Sequence, residues 1–198
     1  MKRVEILREG APNFIGCWFL KDDIFCDNII DFFEKNKKLH HQGTTGKGVN
    51  LDYKKTTDIT INPNKLIEPG YEIFKDYFDK LQECYLDYKN QWPFLNKFLD
   101  KVNIGSFNVQ KYLPGGHFSN LHSERTDIAS LHRVFAFMTY LNNVDNGGTT
   151  DFEHYRLKIK PEKSKTLIWP AEWTHAHTGS ILESGSKYII TGWLHFPA

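Results

Sequence analysis

No apolar run in this chain of 198 residues approaches the ~18 residues a membrane-spanning helix needs. The basic start, Met1-Lys2-Arg3, is followed by no apolar stretch, which argues against a secretory signal. A charge excess of either sign is missing too. The 25 Lys and Arg face 24 Asp and Glu, leaving a formal net charge of +1 and removing the usual electrostatic case for a nucleic-acid or membrane partner. Cysteine is scarce: Cys17, Cys26 and Cys84 are odd in number and form neither a CxxC pair nor a disulfide framework. That usage predicts a reduced, cytoplasmic protein. No internal repeat or low-complexity tract is present.

Aromatic side chains are abundant, with 15 Phe, 9 Tyr and 5 Trp, so large rings should dominate the core of a single domain spanning 1–198. A helical pattern begins at Asp22 or Asp23 as N-cap, carries Ile24, Phe25, Ile29, Phe32 and Phe33, and fades at Lys35-Asn36-Lys37-Lys38. A second stripe, Phe74, Tyr77, Phe78, Leu81, Tyr85 and Tyr88, repeats every three or four residues. Between them Gln42 to Lys55 reads as a polar loop, either solvated or covering a site. Its Gly46-Lys47-Gly48 lacks the spacing of a phosphate loop. From Val102 the texture changes to short strands at 103–113, 133–141, 150–152, 156–160, 165–169, 173–178 and 187–196, separated by Pro and Gly turns. Residues 1–100 therefore read as supporting helices and outer strands. Residues 101–198 read as a β-sandwich or jelly roll, mainly β with flanking helices in an α+β arrangement. On strand 103–113, Phe107 and Val109 alternate with Asn108, Gln110 and Tyr112. That polar face meets water or lines an inner cavity, and Tyr112 just before Pro114-Gly115 favours the cavity.

Spacing selects among the nine histidines. His122-Ser123-Glu124 puts an imidazole and a carboxylate on one face of an extended segment. Trp173-Thr174-His175-Ala176-His177 supplies two distal histidines that share a face if that segment is a strand. Two imidazoles and one carboxylate on one side of an ion leave the opposite positions open, the arrangement of non-haem Fe(II) oxygenases. Using His175 and His177 together with His122 and Glu124 would instead close a tetrahedral structural zinc site. Lys187 opens an apolar strand ten residues after His177, and a hairpin through Gly179 and Ser184-Gly185-Ser186 would bring the two together. A lysine directed into a β-core needs an anion. His40, His41, His117, His132, His154 and His195 lack partners at ligand spacing and read as ordinary surface or core residues.

These pieces form an ordered set. Tyr112-Leu113-Pro114-Gly115, His122-Ser123-Glu124, Arg133 through Tyr140-Leu141-Asn142, Gly147-Gly148, Trp173 through His177, and Lys187 through Trp193 cover Asn108 to Phe196. That stretch resembles the catalytic core of the 2-oxoglutarate/Fe(II)-dependent dioxygenases, specifically the prolyl 4-hydroxylase-like group. The resemblance implies a double-stranded β-helix (a cupin-like jelly roll) with Fe(II), 2-oxoglutarate and O2, and ascorbate among the candidate cofactors. It implies His122, Glu124 and His177 as catalytic iron ligands and Lys187 as partner of the distal 2-oxoglutarate carboxylate. Tyr140 would donate a hydrogen bond to that same carboxylate, and Tyr112 would line the co-substrate pocket. Thr191 and Trp193, on the face of Lys187 by the period of two, would line it too.

This sequence departs from the family at Glu124, where aspartate is usual, so the carboxylate reaches one methylene further. The absence of a small residue there argues against a halogenase. His177 rather than His175 fits the family's spacing to Lys187. By analogy the leading substrate is a peptidyl proline; a free amino acid, small metabolite or nucleobase are alternatives, the last supported only by Lys35, Lys37, Lys38, Lys47, Lys54 and Lys55. A rival from another class is a non-catalytic jelly-roll binding module with a structural metal.

Overall fold

The structure, a computed structural model, describes residues 1–4, 6, 12–46 and 48–197, so Lys47 lies outside it. In chain order, β1 (Lys2–Arg3) and β2 (Gly16–Phe19) precede helix α1 (Ile24–Lys35). Then come β3 (His41–Gln42), β4 (Lys54–Lys55), β5 (Thr57–Ile61), α2 (Glu72–Gln91) and the short α3 (Leu95–Phe98). The second half holds β6 (Asn103–Ile104), β7 (Phe107–Tyr112), β8 (His117–His122), β9 (Arg133–Tyr140) and β10 (Thr150–Phe152). β11 (Leu157–Ile159), β12 (Lys165–Pro170), β13 (His177–Gly179) and β14 (Lys187–His195) complete it.

The strands form two antiparallel sheets. One runs β1-β2-β12-β9-β14-β7-β5-β3, with β6 also paired to β14; the other runs β11-β10-β13-β8-β4. Strand periodicity divides the core in two. On β9, Phe135 and Phe137 join the cluster under the helices, while Ala136, Met138 and Tyr140 join the cluster between the sheets. The helices cover the outer face of the larger sheet through the expected stripes: Phe25, Ile29 and Phe33 of α1, and Phe74, Tyr77, Leu81, Tyr85 and Tyr88 of α2. The Tyr77 hydroxyl would be costly there unpaired, and it bonds Thr139 at 3.0 Å, which bonds Thr166 at 2.7 Å.

Several boundaries differ from the sequence reading. Asp23 does precede α1, but its side chain makes no cap bond; its carboxylate lies 3.5 Å from Lys163 instead. The 103–113 strand is broken at Gly105-Ser106, where a Cβ on residue 105 would lie 2.1 Å from the His195 ring. Residues 173–178 are not one strand: Trp173–His175 form a 3₁₀ turn and β13 starts only at His177. β13 and β14 are not a hairpin, since they sit in different sheets and the chain crosses over between them. The 42–55 stretch is anchored at both ends, Gly43 N–H donating to Thr56 O and Ser119 N–H to Tyr53 O.

Gly192 sits where β14 passes under the helices, and a Cβ there would lie 2.8 Å from Phe137 Cζ and 2.9 Å from Phe107 Cβ. Gly192→Ala is expected to cost about 1–3 kcal/mol through overpacking, seen as a lower urea midpoint with an unchanged m-value.

Candidate active site

His122 closes β8, Glu124 follows it by two residues, and His177 opens β13. The register sets His177 directly opposite His122. One nitrogen or oxygen from each of His122, Glu124 and His177 lies within 4.8 Å of the others, and His177 Nε2 is 3.4 Å from Glu124 Oε1. Both imidazoles are oriented from behind. His122 Nδ1 donates to Asn120 O at 2.8 Å and His177 Nδ1 to His175 O at 2.9 Å. A carbonyl can only accept, so each Nδ1 carries a proton, and Nε2 is the nitrogen through which each ring could bind a metal. Burial, reinforced by His122, pushes the His177 imidazole down to about 4, so it is neutral near pH 7. Burial acts to raise Glu124, but His177, His122, the Trp193 N–H and Arg133 outweigh it and hold the carboxyl below its usual range. The Phe118 ring stacks on His122 at 3.9 Å; Trp169 meets His177 at 5.2 Å. Two imidazoles and one carboxylate brought together in this way are a donor set that fits Fe(II), and three protein ligands leave coordination positions for other groups.

His175 does not join them. The 3₁₀ turn breaks the period of two, and His175 Nε2 bonds Asn13 O at 2.9 Å. The four-ligand zinc shell therefore lacks His175, the third histidine it would need. His117 shares β8 with His122 but bonds Gly115 O and Asp52 O.

The longer carboxylate of Glu124 is divided between two tasks. Oε1 faces His177, whereas Oε2 accepts the Trp193 indole N–H at 2.6 Å. The Arg133 guanidinium lies 3.7 Å from the centre of the Trp193 ring and donates to the Glu124 carbonyl at 2.8 Å. Trp193 thus reaches the candidate metal-binding cluster rather than simply lining a wall. Removing that orienting bond with Trp193→Phe is expected to weaken Fe(II) or Mn(II) binding roughly 10- to 100-fold, measured by calorimetry on the apo-protein.

Lys187 is 2% exposed and opposite Tyr112 in the β14–β7 register. Its ammonium donates to Gly148 O at 2.9 Å and sits 4.0 Å from the Tyr112 ring centre. Among the described residues no carboxylate lies within ion-pair distance of it. Burial pushes its pKa down to about 7, with Asp151 offsetting this only in part. A cation in that state has donors to spare and no anion, which suits one end of a dicarboxylate. Tyr140 stands opposite Ile189 and gives its hydroxyl to Thr150 at 2.6 Å, two residues from the carbonyl that holds Lys187. Thr191 spends its hydroxyl on Phe137 O at 2.9 Å.

Sequence reasoning missed Phe118 and Arg133 as site residues. Phe118 was findable, because it shares the His122 face of β8 by the period of two. Arg133 had no local signal: its partners Trp193 and Glu124 lie on other segments. The lysines offered for nucleic acid include Lys54, which is 4% exposed and paired with Asp58, so it presents no charge to a partner.

Comparison with known proteins bears directly on this geometry. Residues 107–195, which carry His122, Glu124, His177 and Lys187, match the model of the 2OG-Fe(II) oxygenase superfamily. This β-rich part of the chain, a little under half of its length, is similar to that superfamily. Its members use Fe(II), 2-oxoglutarate and O2, and the His-Glu-His cluster supplies the donor set for the first of these. Prolyl 4-hydroxylase 2 of Arabidopsis thaliana is 22% identical over 207 aligned positions, covering 87% of this chain and 64% of the plant protein. The chain thus spans less than two-thirds of that relative. The viral collagen prolyl hydroxylase of Paramecium Bursaria Chlorella virus-1, solved as its 2-oxoglutarate complex, has the same fold, with a TM-score of 0.66 at 22% identity over 93% of this chain and 97% of that one. A Trichoplax adhaerens prolyl hydroxylase in complex with a hypoxia-inducible-factor peptide shares it too, with a TM-score of 0.70 at 15% identity over 92% and 84%.

If Lys187 anchors 2-oxoglutarate, the free protein must take up a proton to bind it wherever Lys187 is neutral. Affinity is therefore expected to be flat below pH ~7 and to fall above it by up to about tenfold per pH unit. Lys187→Ala should weaken binding by about 2–5 kcal/mol, abolish that slope and leave metal affinity unchanged; equilibrium titrations across pH 6 to 9 would read both.

Proposed function

We propose that this protein is an Fe(II)- and 2-oxoglutarate-dependent hydroxylase whose substrate is a peptidyl proline. The observation that carries the reading is the His122–Glu124–His177 cluster in the same core as Lys187, a buried cation for which no carboxylate lies within ion-pair distance among the described residues. His122 Nε2, Glu124 Oε1 and His177 Nε2 would hold the metal. Bound there, Fe(II) with 2-oxoglutarate and O2 supplies an oxidant for a C–H bond, with 2-oxoglutarate leaving as succinate and CO2.

The chain's own residues orient and shield. Asn120 O and His175 O fix the two rings, and Trp193 fixes the carboxylate. Phe118, Phe152 and Trp169 pack against the imidazoles and exclude water from them. Lys187 fixes the distal end of the co-substrate, so its keto-acid end is turned toward the metal ligands. The prolyl substrate is supported by the prolyl hydroxylases among the relatives, and a peptide by the Trichoplax complex.

The test is succinate formation from 2-oxoglutarate with Fe(II) and ascorbate, with a proline-rich peptide or free proline added. Peptide-stimulated succinate together with one oxygen atom added at proline is expected, lost in His177→Ala and retained in His175→Ala. Stimulation by a free amino acid alone would overturn the substrate, and no 2-oxoglutarate turnover with any addition would overturn the activity.

A further inference from the structure

A chain of buried polar contacts leads from the ends of the 42–55 stretch to the underside of Lys187. Lys54 Nζ donates to Asp58 Oδ2 at 2.8 Å, and Gln110 Nε2 donates to the same oxygen at 2.9 Å. Gln110 Oε1 accepts the Tyr112 hydroxyl at 2.9 Å, and the Tyr112 ring carries the Lys187 ammonium. Thr56 Oγ1 holds the second Asp58 oxygen at 2.7 Å. Lys54, Asp58, Gln110, Tyr112 and Lys187 are each 2–4% exposed.

Sheet register builds the chain. Asp58 stands opposite Gln110 between β5 and β7, Gln110 and Tyr112 share one face of β7, and Tyr112 stands opposite Lys187 on β14. Burial raises the Tyr112 phenol well above its ordinary value, so it stays protonated and must donate. The far end is equally constrained: a Cβ on residue 43 would lie 2.9 Å from Lys54 Cε and 3.2 Å from Asp58 Oδ2. A buried ion pair is a poor stabiliser compared with apolar residues of the same volume. Stability alone therefore gives little reason for Lys54 and Asp58 here.

We infer that Asp58 and Gln110 are positioning residues for the co-substrate pocket, coupling the backbone at Gly43 and Lys54 to the anion held at Lys187. The inference rests on the reading of Lys187 as the 2-oxoglutarate anchor. An anion on Lys187 redraws the ammonium–Tyr112 contact. The Tyr112 hydroxyl can keep its acceptor only as Gln110 and Asp58 allow, and Asp58 is what ties Lys54. Coupling of this kind is reciprocal: whatever orders the Lys54 end favours the anion, and the anion favours the ordered end.

The experiment follows amide exchange at Gly43, Tyr53 and Lys54 by NMR or mass spectrometry, in protein loaded with a diamagnetic or redox-inert divalent metal, with and without 2-oxoglutarate. In the unaltered protein 2-oxoglutarate should slow exchange at all three amides. Gln110→Met cuts the chain without stranding a charge. It should bind the metal normally and 2-oxoglutarate about tenfold more weakly, as for one lost buried hydrogen bond, with no slowing even at saturation. The Lys54→Met/Asp58→Leu double variant removes both charges together and should likewise lose the slowing. Unaltered 2-oxoglutarate affinity and undiminished slowing in these variants would overturn the coupling while leaving the Lys187 anchor intact. An unaltered protein that takes up metal but no 2-oxoglutarate would overturn the anchor, and the coupling with it.

Discussion

Burying an ammonium group without an anion is among the least favourable things a β-core can do, and the interior of this jelly roll is arranged around one. Among the described residues, Lys187 donates to one backbone carbonyl and rests on the face of Tyr112, with no carboxylate within ion-pair distance. Its environment makes sense once the interior is seen as a receptor. The apolar walls that depress its pKa would also strengthen any charge pairing made there, which on the proposed reading offsets the stability lost at Lys187 with affinity toward a carboxylate.

The His122–Glu124–His177 cluster obeys a different constraint, that of cross-strand geometry. His122 and His177 face one another because β8 and β13 are in register, and Glu124 lies just beyond the strand end, where the chain is free to turn its longer side chain back. The nine-stranded sheet then reaches across through Trp193 to hold the second carboxylate oxygen. The extra methylene of glutamate is accommodated because the longer arm carries its second oxygen to the Trp193 N–H. The three candidate ligands lie on or beside one sheet and their restraints partly on the other, so the site depends on both sheets packing correctly.

Much of this was legible in the sequence. Both long helices follow from their three-and-four spacing, and the central strands from alternation. The HxE triplet, the distal histidine and Lys187 could be named because each sits in a local pattern with turn residues around it. What escaped were features fixed by register between distant segments. Lys54 lies in a stretch whose composition reads as loop, its partner Asp58 lies just beyond that stretch, and nothing local says that Gln110 stands opposite Asp58. The His175–His177 pair misled for the same reason, because a one-turn 3₁₀ element places the two rings on different neighbours where a strand would have aligned them. The crossover after β13 likewise replaced an expected hairpin, since turn residues mark a reversal but not which sheet the chain enters next.

The most direct measurement is an anaerobic titration of apo-protein with Fe(II) and then 2-oxoglutarate, followed by visible absorption. The account predicts a charge-transfer band that requires both components, is lost in His177→Ala and persists in His175→Ala. Tight zinc uptake by the folded protein with no such band would contradict it.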